Sequence, residues 1–238
     1  MDVSVIIATY NRSESLRLAL QSFEAMVVPP ELSWELIIVD NNSDDNTKEL
    51  CNIFQQRNNL PLRCMFERRQ GKPFALNRGI GEAKGEILAF TDDDAIVDTH
   101  WLTSISIAFS TDVSISVIGG RVEPYNENTI TFMTYKERTL LSSPYQLYNP
   151  LIIGVNMAFR RNVIEAVGDM DPQFGPGTKI GTCIDLDFIY RVYKSGFKLV
   201  YLPDVCVYHN QILRTQKDIQ SLNQRYMIGR GAFYCKYI

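Results

Sequence analysis

The residues with the clearest chemistry are Asp92, Asp93 and Asp94, which follow the apolar run Glu86–Phe90. Three adjacent carboxylates repel one another unless positive charge neutralises them. A hard divalent cation, Mg²⁺ or Mn²⁺, takes oxygen ligands and bridges protein carboxylates to substrate phosphates. The competing reading is a solvated acidic turn ahead of the helix that begins near Asp98 and Thr99. Those two residues can cap that helix unaided. Asp40, behind Leu36–Val39, suits either a nucleotide base or ribose, or a turn in which the side chain binds its own backbone. The segment Thr9-Tyr10-Asn11-Arg12 ends another apolar run and either lines a site or starts a helix. Lys72, in Gly71-Lys72-Pro73, fits a diphosphate or an ordinary surface lysine, and Asn77 could hydrogen-bond the same group. His209 closes the run Val205–Tyr208 and reads equally as a metal ligand or a structural imidazole. Asp185 and Asp187 open a helical stretch. Asp187 has Arg191 four residues on as a pairing partner. Asp185 lacks one, so it is the better candidate general base, with stabilisation of the helix dipole as its bland alternative.

The elements that must position these groups alternate. Val3–Ala8 and Leu36–Val39 are short runs rich in β-branched residues and read as buried parallel strands. Between them Ser13 offers an N-cap for a helix carrying Leu16, Leu18, Leu20 and Phe23. A helix over Thr47–Arg57, a strand over Leu62–Phe66, a helix from Pro73 to Ala83 and a strand over Glu86–Phe90 continue the series. Strands joined through helices imply right-handed crossovers and a mainly parallel sheet. Ligands of such sheets bind beyond the carboxyl ends of the strands. The Thr9, Asp40 and Asp92 segments should therefore line one crevice. The second half is less regular: a helix over Trp101–Phe109, strands over Ser116–Gly120 and Ile152–Arg160, and a helix from Ile184 to Ser195. Two short strands, Phe197–Tyr201 and Val205–His209, precede an amphipathic stretch bearing Ile219, Leu222, Tyr226 and Phe233. Glu123–Pro150 shows no clear period.

Composition narrows the field. The chain has 238 residues, 45% of them hydrophobic and 21% charged, as expected of one globular α/β domain. A net charge of −3 carries no basic footprint for nucleic acid. The five cysteines, Cys51, Cys64, Cys183, Cys206 and Cys235, are scattered, which suits a reduced, cytoplasmic setting. Neither a signal peptide nor a run of roughly 20 apolar residues is present, so membrane contact would be peripheral, at the inner face. The ending Phe233-Tyr234-Cys235-Lys236-Tyr237-Ile238 reads as a chain cut short.

Taken in order, Val5–Arg12, Val39–Ser43, Ala75–Gly79, Phe90–Asp94, Asn156–Arg161, Asp185–Asp187 and Val207–His209 resemble the motifs of a family 2 glycosyltransferase of the GT-A fold. The resemblance covers nearly the whole chain. It implies one nucleotide-diphospho-sugar transferase domain over 1–238, with a Rossmann-like, mainly parallel sheet flanked by helices. Its nucleotide-binding half would span about 1–98, its acceptor-binding half about 99–212, and a C-terminal amphipathic helix about 214–235. It also implies inverting transfer of a hexosyl group from a nucleotide-sugar donor, usually a uridine one, to a glycan or lipid-linked acceptor. Thr9, Tyr10, Asn11, Arg12, Asp40 and Asn42 would then hold the nucleotide, with Asp92 and Asp93 near the ribose and sugar. Asp94 and His209 would hold the ion, Asp185 would be the base, and Trp101, Asn156 and Asp187 would face the acceptor. Two positions depart from the pattern: Ile184 stands where an acidic residue is usual, and Leu76 where an arginine is.

Two other classes compete. A nucleotidyltransferase or a dinucleotide-dependent oxidoreductase would carry a glycine-rich phosphate loop after a strand, and Ala8-Thr9-Tyr10-Asn11-Arg12 has no glycine. A non-catalytic nucleotide-sugar or glycan-binding domain is the reading that Ile184 favours.

Overall fold

A computed structural model describes residues 1–126, 134–143, 146, 151–210 and 216–237, with the side chains of 216–219 outside the description. Residues 127–133, 144–145 and 147–150 of the irregular segment Glu123–Pro150 thus lie outside the described residues, as does the side chain of Ile219. The first half alternates as expected: β1 (Val3–Thr9), α1 (Ser13–Glu24), β2 (Trp34–Asp40), α2 (Thr47–Arg57), β3 (Leu62–Phe66), α3 (Lys72–Glu82) and β4 (Ile87–Thr91). Every residue of β1 and β4 is buried, which is why these strands read as unbroken apolar runs. In α1 the buried residues Leu16, Ala19, Leu20 and Phe23 recur at helical spacing and form one stripe.

The second half adds β5 (Ala95–Val97), α4 (Trp101–Thr111), β6 (Ile115–Pro124), β7 (Thr139–Leu140), β8 (Asn156–Arg160), α5 (Arg161–Val167), α6 (Ile184–Lys194), β9 (Lys198–His209) and α7 (Gln216–Tyr237). One nine-stranded sheet results, in the order β3-β2-β1-β4-β8-β6-β9-β5, with β7 also pairing β9. The β3-β2-β1-β4 half is parallel, and so is β6 with β9. β8 runs antiparallel between β4 and β6.

Three local expectations change. The two short strands expected over 197–209 are one strand, β9, whose register against β6 shifts between Gly120 and Arg121. That irregularity absorbs Pro203 and Asp204, which had looked like a break. The strand expected from Ile152 begins only at Asn156. Ser13 is the first helical residue rather than the cap, and its amide is taken from across the loop by Asp45 Oδ2 at 2.9 Å.

Candidate active site

The parallel strands deliver their polar ends to one edge of the sheet. Thr9 and Asp40 are registered neighbours at the ends of β1 and β2, and β4 beside β1 leads into the acidic triplet. β5 pairs β9 so that Ala95 lies opposite His209, which brings His209 beside Asp94. Two stretches more than a hundred residues apart therefore meet through strand register alone.

The three aspartates differ in environment. Asp93 and Asp94 are buried, at 5% and 6% exposure, while Asp92 is partly open. Thr9 Oγ1 donates to Asp93 Oδ2 at 2.8 Å, and Arg12 Nη1 reaches both Asp93 Oδ1 (3.2 Å) and Asp94 Oδ2 (2.6 Å). His209 Nε2 lies 3.1 Å from Asp94 Oδ1, and Lys72 Nζ donates to Asp92 Oδ1 at 2.5 Å. The repulsion anticipated from the sequence is thus met by two side-chain cations, Arg12 and Lys72, and does not by itself require an ion. Unpaired, two buried carboxylates would be strongly unfavourable, since a buried charge needs a partner.

Their titration follows from the same contacts. Burial pushes Asp93 up, Arg12 opposes it, and the charges of Asp94 and Asp92 carry it to about 6. Burial would raise Asp94 too, but His209, Arg12 and Lys72 outweigh it and hold it down at about 2. Burial works against the ammonium of Lys72, yet the aspartates around it, Asp92 first, raise its affinity for its proton.

Asp92, Asp94 and His209 each offer a ligand atom, all within 4.8 Å of one another. Two carboxylate oxygens and an imidazole nitrogen are a donor set that Mn²⁺ accepts, and Mg²⁺ less readily because of the nitrogen. The residues fit a divalent ion, and Asp92 joins the Asp94–His209 pair anticipated from the sequence.

Around this cluster the loops are tied to each other. Asp40 is buried and one carboxylate oxygen takes the Ser43 amide at 2.9 Å, so the turn reading holds for that oxygen. Asn11 and Asn42 both sit at positive φ, 52° and 67°. Asn11 Oδ1 accepts the Asp44 amide, and Ser43 Oγ accepts the Asn11 amide. Tyr10 is 47% exposed. Asn41, not anticipated, is an organiser: its Nδ2 donates to the carbonyls of Glu67 and Arg69, and its Oδ1 accepts the Gly71 amide at 2.8 Å. It thereby fixes the loop that presents Lys72.

The helix α6 begins with Asp185 half-buried in its first turn. The Leu186 amide donates to Asp185 Oδ1 at 2.9 Å and the Gly154 amide to Oδ2 at 3.1 Å.

Four expected contacts fall elsewhere. Trp101 is fully buried and donates its indole N–H to Asn156 Oδ1 at 2.9 Å. Asn156 in turn donates to the carbonyls of Arg121 and Val205. A side chain at Gly120 would stand 2.3 Å from Asn156 Nδ2, so the interior is closed around this node. These two residues hold β8, β6, β9 and α4 together and offer no face to an acceptor. Asp187 has no exposed surface, and besides the expected Arg191 partner at 3.0 Å it is held by Lys236 and Tyr237 of α7. Asn77 exchanges two hydrogen bonds with the backbone of Met170.

A family model for glycosyl transferase family 2 matches residues 4–168. Glycosyltransferase AglE of Haloferax volcanii is 27% identical over 232 residues, which cover 96% of this chain and 72% of that protein. A glucosyl-dolichyl phosphate glucuronosyltransferase of the same organism is 25% identical, over 92% of this chain and 72% of that one. Among solved structures, TarS of S. aureus in complex with UDP-GlcNAc superposes with a TM-score of 0.72 at 19% identity, over 90% of this chain and 60% of TarS. The mannosyltransferase PcManGT of Pyrobaculum calidifontis, in complex with GDP-Man and Mn²⁺, gives 0.67 at 22% identity, over 89% and 57%. The chain thus spans somewhat under two thirds of these solved structures.

Proposed function

The chain belongs to glycosyl transferase family 2, and from that membership we propose that it moves a hexosyl group from a nucleotide-sugar donor to an acceptor hydroxyl, with inversion at the anomeric carbon. The single observation that carries this reading is the meeting of Asp92, Asp94 and His209 at the carboxyl edge of the parallel strands. Residues 1–98 form the donor-binding half and 99–212 the acceptor-binding half of one domain. The exposed Tyr10 and the second oxygen of Asp40 receive the base and ribose, while Lys72 and Arg12 lie within reach of the diphosphate. A divalent ion bound by Asp92, Asp94 and His209, Mn²⁺ in preference to Mg²⁺, would supply positive charge to the leaving diphosphate. Asp185 takes the proton from the acceptor hydroxyl, whose oxygen forms the new bond to the anomeric carbon as the bond to the nucleoside diphosphate breaks. The two amides on Asp185 fix its orientation for that transfer.

Uridine is the favoured nucleotide, supported by the UDP-GlcNAc complex of TarS, with guanosine the alternative supported by PcManGT. The glucuronosyltransferase relative acts, by its name, on a glucosyl-dolichyl phosphate, which supports a lipid-linked or glycan acceptor here. Among the described residues no helix is long and apolar enough to cross a membrane.

The test is release of nucleoside diphosphate from a panel of UDP- and GDP-sugars with Mn²⁺, with and without acceptor sugars. Acceptor-dependent release in the wild type, lost in Asp185→Asn while donor binding persists, is the expected result. Equal rates in the two proteins would remove Asp185 from the mechanism. Binding without any release would favour a carbohydrate-binding role.

A further inference from the structure

The first turn of α6 carries two aspartates with opposite fates. Asp185 is the half-buried base of the preceding reading, and Asp187, two residues on, is fully buried. A carboxylate with no contact to water needs its oxygens satisfied by protein. Arg191 Nε donates to Oδ2 at 3.0 Å. Both donors to Oδ1 come from the last turn of α7: Lys236 Nζ at 2.6 Å and Tyr237 O–H at 2.7 Å. Lys236 also pairs with Asp171 at 2.6 Å, so it ties α6, α7 and the 171 loop at one point. Burial works against the Lys236 ammonium, but its two carboxylate partners raise its affinity for its proton, which keeps it charged.

The rest of α7 lies along the same helix. Thr182 Oγ1 donates to the Arg225 carbonyl at 3.0 Å, just before α6 starts. At Gly229 an added Cβ would stand 2.0 Å from Thr182 Oγ1 and 2.8 Å from Cys183 Sγ, so the backbone of α7 touches the entry to α6 directly. Phe233 is buried edge-on against Tyr190, with ring centres 5.2 Å apart at 90°. α7 therefore grips α6 before its start, at its first turn and at its middle.

Resting on the assignment of Asp185 as base, we infer that Asp187, Lys236 and Tyr237 are positioning residues: the last turn of α7 locks the first turn of α6 and so sets the carboxylate of Asp185 against the donor side. Asp187 acts through Asp185 and does not touch the acceptor. A purely structural pair would change stability alone. A positioning lock changes turnover at unchanged donor affinity, because small displacements of a catalytic group cost rate out of proportion to stability.

Cys183 provides a readout independent of activity. It is buried under α7 at the entry to α6, whereas Cys235 is exposed and is replaced by serine in the test background. The variants are Tyr237→Phe, which keeps the ring and deletes the O–H donor, Lys236→Met, and Lys236→Arg as the rescue. Each is compared with the parent for melting temperature, affinity for UDP with Mn²⁺, kcat and donor KM, and iodoacetamide labelling of Cys183 read by peptide mass spectrometry. In Tyr237→Phe and Lys236→Met, kcat should fall about tenfold or more, Cys183 labelling should accelerate by about tenfold, and UDP affinity and donor KM should stay within about twofold. Lys236→Arg should recover most of both losses. Unchanged Cys183 labelling would overturn the lock, and faster labelling with unchanged kcat would overturn the positioning role. If the parent transfers no sugar from any UDP- or GDP-sugar, the base assignment fails and the positioning role with it, while the labelling rates still report the contact between the helices.

Discussion

At the residue scale the cleft is a problem in charge balance, and Arg12 is its hinge. One guanidinium nitrogen serves both buried aspartates, Asp93 and Asp94. Arg12→Ala would leave those carboxylates facing each other without it. A loss of about 1–2 kcal/mol at pH 7, discounted because Arg12 is half exposed, is the expected cost. A divalent ion on Asp94 would replace the missing charge, so millimolar Mn²⁺ should restore much of that stability in Arg12→Ala and add less to the wild type. Thermal melts of both proteins with and without Mn²⁺ check this, and equal gains would break the argument. Trp101 makes the opposite kind of prediction. Trp101→Phe removes the N–H that satisfies buried Asn156 Oδ1, which should cost about 1–3 kcal/mol. Because neither side chain reaches the cleft, KM for any acceptor should stay where it is. A raised acceptor KM in a protein of normal stability would return Trp101 to the acceptor pocket.

At the element scale the opposite edge of the sheet explains why the cleft edge can be spared for function. Glu35 on β2 is buried and gathers Ser4 of β1 (2.8 Å), Arg63 of β3 (2.7 Å) and the Lys84 amide ahead of β4 (2.7 Å). One carboxylate staples three parallel strands and the loop that leads into β4, where no ligand is needed. Burial would raise its pKa, but the hydrogen bonds from Arg63, Ser4 and Lys84 hold it below the ordinary glutamate value of 4.5. A depressed folded-state pKa means that the stabilisation is fully present above the unfolded value and drains away as pH falls through the folded one. Wild-type stability should therefore fall on acidification below about pH 4.5, and Glu35→Gln, weaker at pH 7 by about 1–3 kcal/mol, should fall less steeply over that range. Parallel urea titrations at pH 7 and pH 4 test the sign.

Elements also decide how much could be read beforehand. The β1–α1–β2–α2–β3–α3–β4 series was legible because short apolar runs alternate with helical stripes, and strand ends fixed where Thr9, Asp40 and Asp92 meet. β5 was missed: Ala95–Val97 is three residues long, below the length at which a pattern exists. Yet β5 is the strand whose pairing puts His209 beside Asp94. Trp101, Asn156 and Asp187 matched motif positions but turned inward, since the burial of one side chain depends on neighbours distant in the chain. Asn156 is satisfied by the carbonyls of Arg121 and Val205, and Asp187 by Lys236 and Tyr237, and no local spacing announces either.

At the scale of the whole molecule, a net charge of −3 and an acidic cleft face a donor that is itself an anion. Such a protein should bind a nucleoside diphosphate poorly on its own, because the phosphates would meet Asp92 and Asp94. A cation held by Asp92 and Asp94 would offset their charge and leave Lys72 and Arg12, which now pair with those carboxylates, available to the diphosphate. Nucleotide and ion should therefore stabilise the fold together by more than the sum of their separate effects. Ligand at about a hundred times its Kd adds about 2.7 kcal/mol. In a domain of this size that corresponds to a rise of roughly 5–10 °C in Tm. UDP with Mn²⁺ should give a shift of that order, and UDP alone or Mn²⁺ alone only a fraction of it, with GDP as the alternative nucleotide. Asp94→Ala should abolish the synergy while folding normally in the absence of ligand. A full shift with UDP in the presence of a chelator would mean that Lys72 and Arg12 alone carry the phosphates, and the ion would then have no part in donor binding.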